Sequence, residues 1–104
     1  MKTYYHTTTK DSWDKIQNEG LIPIVGIRSE ELKEEKGVFL FKSLDDLDNA
    51  LFNWFGESFD YDEELYTLEV KLPKSFSIQA SQADYEVISR EKIPSKYISF
   101  FRND

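Results

Sequence analysis

The chain contains no cysteine and a single histidine. The absence of cysteine excludes disulfide bonds, thiolate metal sites and cysteine nucleophiles, and with them the small secreted proteins that depend on disulfides. One histidine, with no H-E-x-x-H motif, is too few for an ordinary zinc site. The sequence therefore predicts a domain that uses neither a metal nor thiol chemistry.

Long apolar runs and glycine-rich loops are also missing. No segment reaches the ~18 apolar residues of a membrane span, and the N-terminus lacks the layout of a signal peptide. The four glycines are isolated, so no phosphate-binding loop is present, and there is no G-x-S-x-G elbow of a serine hydrolase. We expect a cytoplasmic protein without a membrane partner.

Positive charge is scarce. The chain has 20 acidic and 13 basic side chains and a formal net charge of −7, which disfavours direct binding to nucleic acid. Carboxylates gather in residues 29–35 and 57–64, and solvated surface is the ordinary explanation for both. A second interpretation of residues 57–64, where Phe59 and Tyr61 lie among the carboxylates, is an acidic docking surface that mimics nucleic acid.

Aromatic residues, by contrast, are abundant. Hydrophobic residues make up 39% of the chain and aromatic residues 15%, so 104 residues suffice for one modest core and a single domain, 1–104. Phe100 and Phe101 are expected to belong to that core or to an interface, with the core favoured.

The first half of the chain alternates strands and helices. Residues 3–7 predict a strand, and residues 10–19 predict a helix that Thr9 or Asp11 caps and Gly20 ends. A connector and a short helix from Ser29 are expected before Gly37. Residues 38–41 predict a buried strand, and Ser43 with Asp46 forms a capping box. The next helix has an apolar face of Leu44, Leu47, Leu51, Trp54 and Phe55, and Gly56 ends it.

The second half is mainly β. Residues 66–72 alternate apolar and polar side chains, which predicts a strand with one buried and one wet face. Residues 76–79, 85–89 and 97–102 predict shorter strands. The fold class is α+β, with two or three helices packed against a mixed or antiparallel sheet.

His6, Phe39 and Glu86 lie on three separate predicted strands. Cleavage of nicotinamide from ribose passes through an oxocarbenium-like transition state, which a carboxylate such as that of Glu86 stabilises and an aromatic ring assists by stacking. Each residue also has an ordinary explanation: a hydrogen-bonded structural histidine, a core phenylalanine, and an exposed edge-strand face shared by Asp84 and Glu86.

The order and spacing of these segments resemble the ADP-ribosyltransferase superfamily, whose signature is His, Tyr and Glu on three strands. The matching segments are Tyr5-His6-Thr7-Thr8, residues 16–23, Gly37-Val38-Phe39-Leu40, Asp84-Tyr85-Glu86 and residues 93–98. Phe39 stands where tyrosine is typical in the family. This departure leaves two alternatives, an active enzyme or a binding module without activity.

The resemblance implies an ADP-ribosyltransferase-like fold and NAD as substrate. Glu86 and His6 would be catalytic, with His6 donating to a ribose hydroxyl. The dinucleotide would be held by His6, the backbone of Thr7, Arg28, Phe39 and Ser43, with Asp84 as an acid on the acceptor side. The guanidinium fork of Arg28 matches phosphate oxygens, although a solvated cation is an equally good explanation.

The expected function is NAD-dependent transfer of ADP-ribose to a macromolecular acceptor, with a protein favoured, in a small bacterial or phage effector. RNA 2′-phosphotransfer is less favoured because only Arg28, Arg90 and Arg102 are available. The alternative from another class is a noncatalytic inhibitor that uses residues 57–64 to block a basic partner protein.

Overall fold

The computed structural model describes residues 1–23, 37–53, 64–81 and 83–103. The strands are β1 (Lys2–Thr9), β2 (Val38–Phe41), β3 (Leu65–Leu72), β4 (Gln79–Ala80), β5 (Glu86–Ser89) and β6 (Ile98–Asn103). The described helices are α1 (Lys10–Glu19), α2 (Leu44–Asn53) and a 3₁₀ turn, Ser95–Tyr97. The expected short helix from Ser29 and the residues from Trp54 to Gly56 lie outside the described residues.

The strands form one six-stranded sheet in the order β4-β5-β2-β1-β3-β6. Every recorded strand pair is antiparallel, which resolves the expectation of a mixed or antiparallel sheet. The architecture is that of a small α+β domain, as the sequence predicts at this level.

Local sequence signals explain both helices. The Thr9 hydroxyl accepts a hydrogen bond from the Ser12 N–H at 3.2 Å, and Gly20 ends α1 with φ of 78°, a conformation that glycine adopts without strain. The Ser43 hydroxyl accepts from the Asp46 N–H at 3.1 Å and donates to the Asp46 carboxylate at 2.9 Å. The predicted start and end of α1, and the predicted start of α2, are therefore confirmed.

The two helices cover opposite faces of the sheet. The α1 face carries the larger core, in which Tyr4, Leu40 and Leu68 pack with Ile16 of α1. The α2 face carries a smaller core, in which Tyr5 and Phe41 pack with Leu47 and Ala50 of α2. Because side chains alternate along a strand, adjacent residues such as Tyr4 and Tyr5 enter different cores.

The prediction that β3 has one buried and one wet face is confirmed at Lys71, which is exposed, and is wrong at Thr67. Thr67, on the predicted wet face, has 0% exposure, and Arg102 from the same face pairs with Asp48 of α2. An amphipathic pattern shows which face is more apolar, and it does not show whether a helix covers the other.

Two further predictions in the second half are wrong. Only Gln79–Ala80 forms a strand near residues 76–79, because a turn closed by the Phe76 N–H and the Pro73 carbonyl precedes it. Phe100 and Phe101 are 48% and 40% exposed, since β6 lies at the sheet edge. Among the described helices, none is both long enough and apolar enough to cross a bilayer.

Candidate active site

The sheet brings together three strands that are distant in the sequence. β5, β2 and β1 are neighbours in that order, so the strands of Glu86, Phe39 and His6 lie side by side. Glu86 pairs with Phe41 and Phe41 pairs with Tyr5, which forms one row of residues across all three strands.

The ladder between β1 and β2 opens beyond this row. Tyr5↔Phe41 is the single register pair recorded for these two strands, and no Thr7–Phe39 pair follows it. By contrast, β1 pairs with β3 along its whole length, from Lys2 to Thr9. The gap therefore lies between β1 and β2, at the level of Thr7 and Phe39.

Neighbouring hydrogen bonds fix the direction of the peptide groups that border this gap. The Lys10 N–H donates to the Glu64 carbonyl, so even-numbered residues of β1 direct their peptide groups toward β3 and odd-numbered ones toward β2. The Lys42 N–H donates to the Tyr85 carbonyl, so Phe39 and Phe41 direct theirs toward β1. The N–H and C=O of Thr7 consequently face the gap and lack strand pairing with β2.

His6 occupies the position of the missing backbone donor. Its Nδ1 lies 2.9 Å from the carbonyl oxygen of Phe39, which in a continuous ladder would accept from the Thr7 N–H. A carbonyl can only accept, so Nδ1 carries the proton, and in the neutral ring Nε2 is the acceptor. The imidazole thus bonds the Phe39 carbonyl at the level where the β1–β2 ladder has no Thr7–Phe39 pair.

The environment of His6 favours the neutral ring. Burial of the imidazole lowers the pKa of His6 below its ordinary value of 6.5, and the hydrogen bond to Phe39 opposes this with a smaller effect. Desolvation acts against the charged form. His6 is therefore neutral at pH 7.

Thr7 has a second unused polar group in addition to its peptide edge. Its side chain is 5% exposed, and its Oγ1 is the one buried side-chain polar atom in the described residues that has no hydrogen-bond partner. Leaving a buried hydroxyl without a partner costs about 1–3 kcal/mol. An ordered water, an ion or a ligand can supply the partner of such an atom.

Glu86 is a buried carboxylate rather than an exposed edge residue. It is 1% exposed and lies on β5, which is flanked by β4 and β2. The Ser81 hydroxyl accepts from the Ala83 N–H at 3.2 Å and donates to Glu86 Oε1 at 3.1 Å. The carboxylate is therefore oriented by a hydroxyl that is itself held by the backbone.

Strand alternation shows which of these side chains share a face. The register places Thr7, Phe39 and Glu86 on the α2 face, with Tyr5 and Phe41. At about 4.8 Å between strands and 3.3 Å per residue, the Cα atoms of Thr7 and Glu86 are about 12 Å apart. His6 belongs to the opposite, α1 face, opposite Leu68 in the ladder, so its ring and the Glu86 carboxylate do not converge.

The remaining predicted site residues lie elsewhere. Asp84 is exposed and belongs to the turn before β5, so the expectation that Asp84 and Glu86 share one strand face is wrong. The Ser43 hydroxyl caps α2, and both of its hydrogen bonds are to Asp46 of that helix. Arg28 lies outside the described residues.

Ser81 is the residue that sequence reasoning missed. It stands in a segment with no motif, and its contact with Glu86 depends on the bend and turn at residues 83–85. Across the described ranges, no three side chains of the His, Asp or Glu type gather as a metal ion would require.

Comparison with known protein families, with curated proteins and with solved structures finds no match to this chain.

Proposed function

We propose that the domain binds NAD at the opening between β1 and β2, breaks the bond between nicotinamide and ribose, and transfers ADP-ribose to a macromolecular acceptor, with a protein favoured. The observation that supports this proposal is the missing Thr7–Phe39 pair at the point where His6 donates to the Phe39 carbonyl, from which we infer that the N–H and C=O of Thr7 can bind a ligand.

The peptide edge of Thr7 is suited to a carboxamide. A carboxamide presents one acceptor oxygen and one NH₂ donor. The N–H and C=O of an extended residue point to the same side and form two hydrogen bonds with such a partner, as in a hydrogen-bonded antiparallel pair. The Thr7 hydroxyl, buried without a partner in the described residues, supplies one further polar contact.

Phe39 provides the aromatic surface for the leaving ring. Its side chain is half-buried and belongs to the same face as Thr7 and Glu86 by register. Stacking uses the ring face and needs no phenol oxygen, so phenylalanine in place of tyrosine is compatible with this role.

Glu86 is the residue that we assign to the chemical step. Its carboxylate, held by Ser81, stabilises the positive charge that develops on the ribose as the C–N bond breaks and its electron pair leaves with nicotinamide. The acceptor nucleophile then bonds to the anomeric carbon and loses its proton. Asp84, exposed two residues before Glu86, is the carboxylate we propose to receive that proton.

His6 takes a different role from the one that the family resemblance implies. Because its Nδ1–H is used by Phe39 and its side chain belongs to the α1 face, His6 is a positioning residue. In this role His6 holds β1 and β2 apart at Thr7. The ribose hydroxyls would then be bound by groups on the α2 face and not by His6.

The test is release of nicotinamide from NAD by the purified protein, with and without cell lysate, for wild type, Glu86→Gln and Glu91→Gln. Glu91 is exposed, so Glu91→Gln gives the same charge change away from the site. We expect Glu86→Gln to lower release at least 100-fold with an unchanged circular dichroism spectrum, while Glu91→Gln matches wild type.

The effect of lysate on nicotinamide release tests whether there is a macromolecular acceptor. A lysate-dependent increase supports a macromolecular acceptor, which labelled ADP-ribose then identifies. No release under either condition, together with no shift of the thermal midpoint by NAD, contradicts the proposal.

The inhibitor alternative has no comparable support. Of residues 57–64, only Glu64 belongs to the described part of the chain. Its carboxylate contacts Lys10 at 3.5 Å and accepts from Asn103 at 3.2 Å, so it is engaged within the domain.

A further inference from the structure

A groove lies on the α1 face, at the end of the sheet away from the opening between β1 and β2. Its volume is about 670 Å³, within the range of small-molecule sites. It is lined by the start of β1, the ends of β2 and β3, and the segment from Phe76 to Ala80. Lys2 and Thr7 are five residues apart on β1, or about 17 Å, so this groove is separate from the proposed NAD site.

Three lysines border this groove, which we call the lysine groove. They are Lys2, Lys42 and Lys74, and all three are exposed. None of the described residues that line the groove is acidic, and no ion pair recorded within the described ranges involves these lysines. In a chain of net charge −7, three ammonium groups that have no carboxylate partner among the described residues create a local positive potential that favours an anion.

The backbone around these lysines is fixed by the sheet and by a turn. Lys2 pairs with Leu72 in the β1–β3 ladder, and the Lys42 N–H donates to the Tyr85 carbonyl at 3.0 Å. Lys74 stands within the turn closed by the Phe76 N–H and the Pro73 carbonyl at 3.0 Å. The three positive charges therefore originate from defined positions at one end of the sheet.

The rest of the lysine groove is apolar and contains aromatic rings. Its wall includes Tyr4, Leu72, Phe76, Ile78 and Val87. Phe76 is held by a T-shaped contact with Tyr97, with ring centroids 6.2 Å apart. An apolar wall next to three cations matches a ligand that has a flat ring at one end and several anionic oxygens at the other.

We propose that the lysine groove binds a nucleoside phosphate, with the phosphates between Lys2, Lys42 and Lys74 and the base against Tyr4 and Phe76. Each ammonium group offers three donors, which suits a diphosphate with many acceptor oxygens. This site is independent of Glu86 and goes beyond the proposed NAD chemistry.

The experiment titrates the protein with ADP, pyrophosphate and adenosine, by calorimetry and by backbone amide NMR shifts. The test variant is the triple change Lys2→Gln, Lys42→Gln and Lys74→Gln. The control is the triple change Lys10→Gln, Lys15→Gln and Lys92→Gln, which alters the net charge equally at exposed positions outside the groove.

We expect ADP to bind at least fivefold more tightly than pyrophosphate or adenosine, and to shift the amides of Tyr4, Phe76 and Ile78. The groove variant should weaken ADP binding at least tenfold, whereas the control variant leaves it within twofold of wild type. The proposal would be overturned if ADP did not bind, or if both triple variants weakened binding equally. It would also be overturned if pyrophosphate and ADP bound with equal affinity, or if the amide shifts were confined to Thr7 and Phe39. Loss of nicotinamide release in Glu86→Gln is a separate readout and does not bear on it.

Discussion

The imidazole Nδ1 of His6 donates to the carbonyl oxygen of Phe39 at 2.9 Å, across 33 residues of sequence. This bond lies where the β1–β2 ladder stops, one residue beyond the Tyr5↔Phe41 pair. A side chain thus bonds the Phe39 carbonyl at the level where a ladder pair with Thr7 would stand. The candidate site is therefore defined by a break in the β1–β2 ladder and not by a cluster of charged side chains.

The stability of the protein should fall as the pH drops below 6.5. Burial lowers the pKa of His6 in the folded state, so the unfolded chain binds a proton at a pH where the folded chain does not. Stability therefore increases with pH across the interval from the folded pKa up to 6.5. Urea unfolding at several pH values between 5 and 7.5 measures this slope.

The matched variant for this prediction is His6→Asn, because the asparagine amide can still donate to Phe39 but does not titrate. His6 is the single histidine of the chain, so we expect a flatter slope in this variant. Equal slopes in both proteins would show that His6 does not govern stability in this interval.

Replacement of Thr7 by valine should separate stability from ligand binding. The buried Oγ1 of Thr7 has no partner in the described residues, so valine, which has the same shape, should leave the free energy of unfolding unchanged or raise it by about 1 kcal/mol. NAD affinity should fall about tenfold if the hydroxyl contacts the ligand, because one hydrogen bond is worth about 1.4 kcal/mol or less.

Thermal unfolding and NAD titration of Thr7→Val give both quantities. Ser99→Ala, which removes an exposed hydroxyl from β6 outside both proposed sites, serves as the control. A loss of stability in Thr7→Val of more than about 1 kcal/mol would indicate that the hydroxyl has a structural partner.

Gly20→Ala should destabilise the domain by more than about 1 kcal/mol. Gly20 has φ of 78°, and a Cβ there would collide with the carbonyl oxygen of Ile93. That carbonyl accepts from the Leu21 N–H at 2.9 Å, so the change disturbs the bridge between Leu21 and Ile93. Urea unfolding of Gly20→Ala measures the loss, and Gln17→Ala, an exposed change in the same helix, should stay within about 0.5 kcal/mol of wild type.

Leu47→Ala should cost about 2–5 kcal/mol, because it removes a buried side chain from the smaller core. Leu47 has 0% exposure, whereas Phe52 on the same helix is 90% exposed. Phe52→Ala removes a larger side chain and should change stability by about 0.5 kcal/mol or less. Chemical unfolding of both variants tests whether α2 packs on the sheet through Leu47, and equal losses would contradict that packing.

Local signals were sufficient for the elements whose causes are local. Thr9 and Gly20 define α1 because a capping hydroxyl and a positive φ act within a few residues. The Ser43–Asp46 pair defines the start of α2 for the same reason. Prediction was wrong for Phe100 and Phe101, since their exposure depends on β6 being at the edge of the sheet, and strand order is not encoded in any local window.

The sequence by itself determined the fold class, both helix starts, and the presence of one histidine and one late glutamate on separate strands, because propensity, capping and alternation act over short distances. Only the tertiary structure decided that β1, β2 and β5 are neighbours, that His6 donates to Phe39, and that Ser81 holds a buried Glu86. It also decided that His6 and Glu86 belong to opposite faces, because the register of the ladder, not the order of residues, sets which side chains share a face.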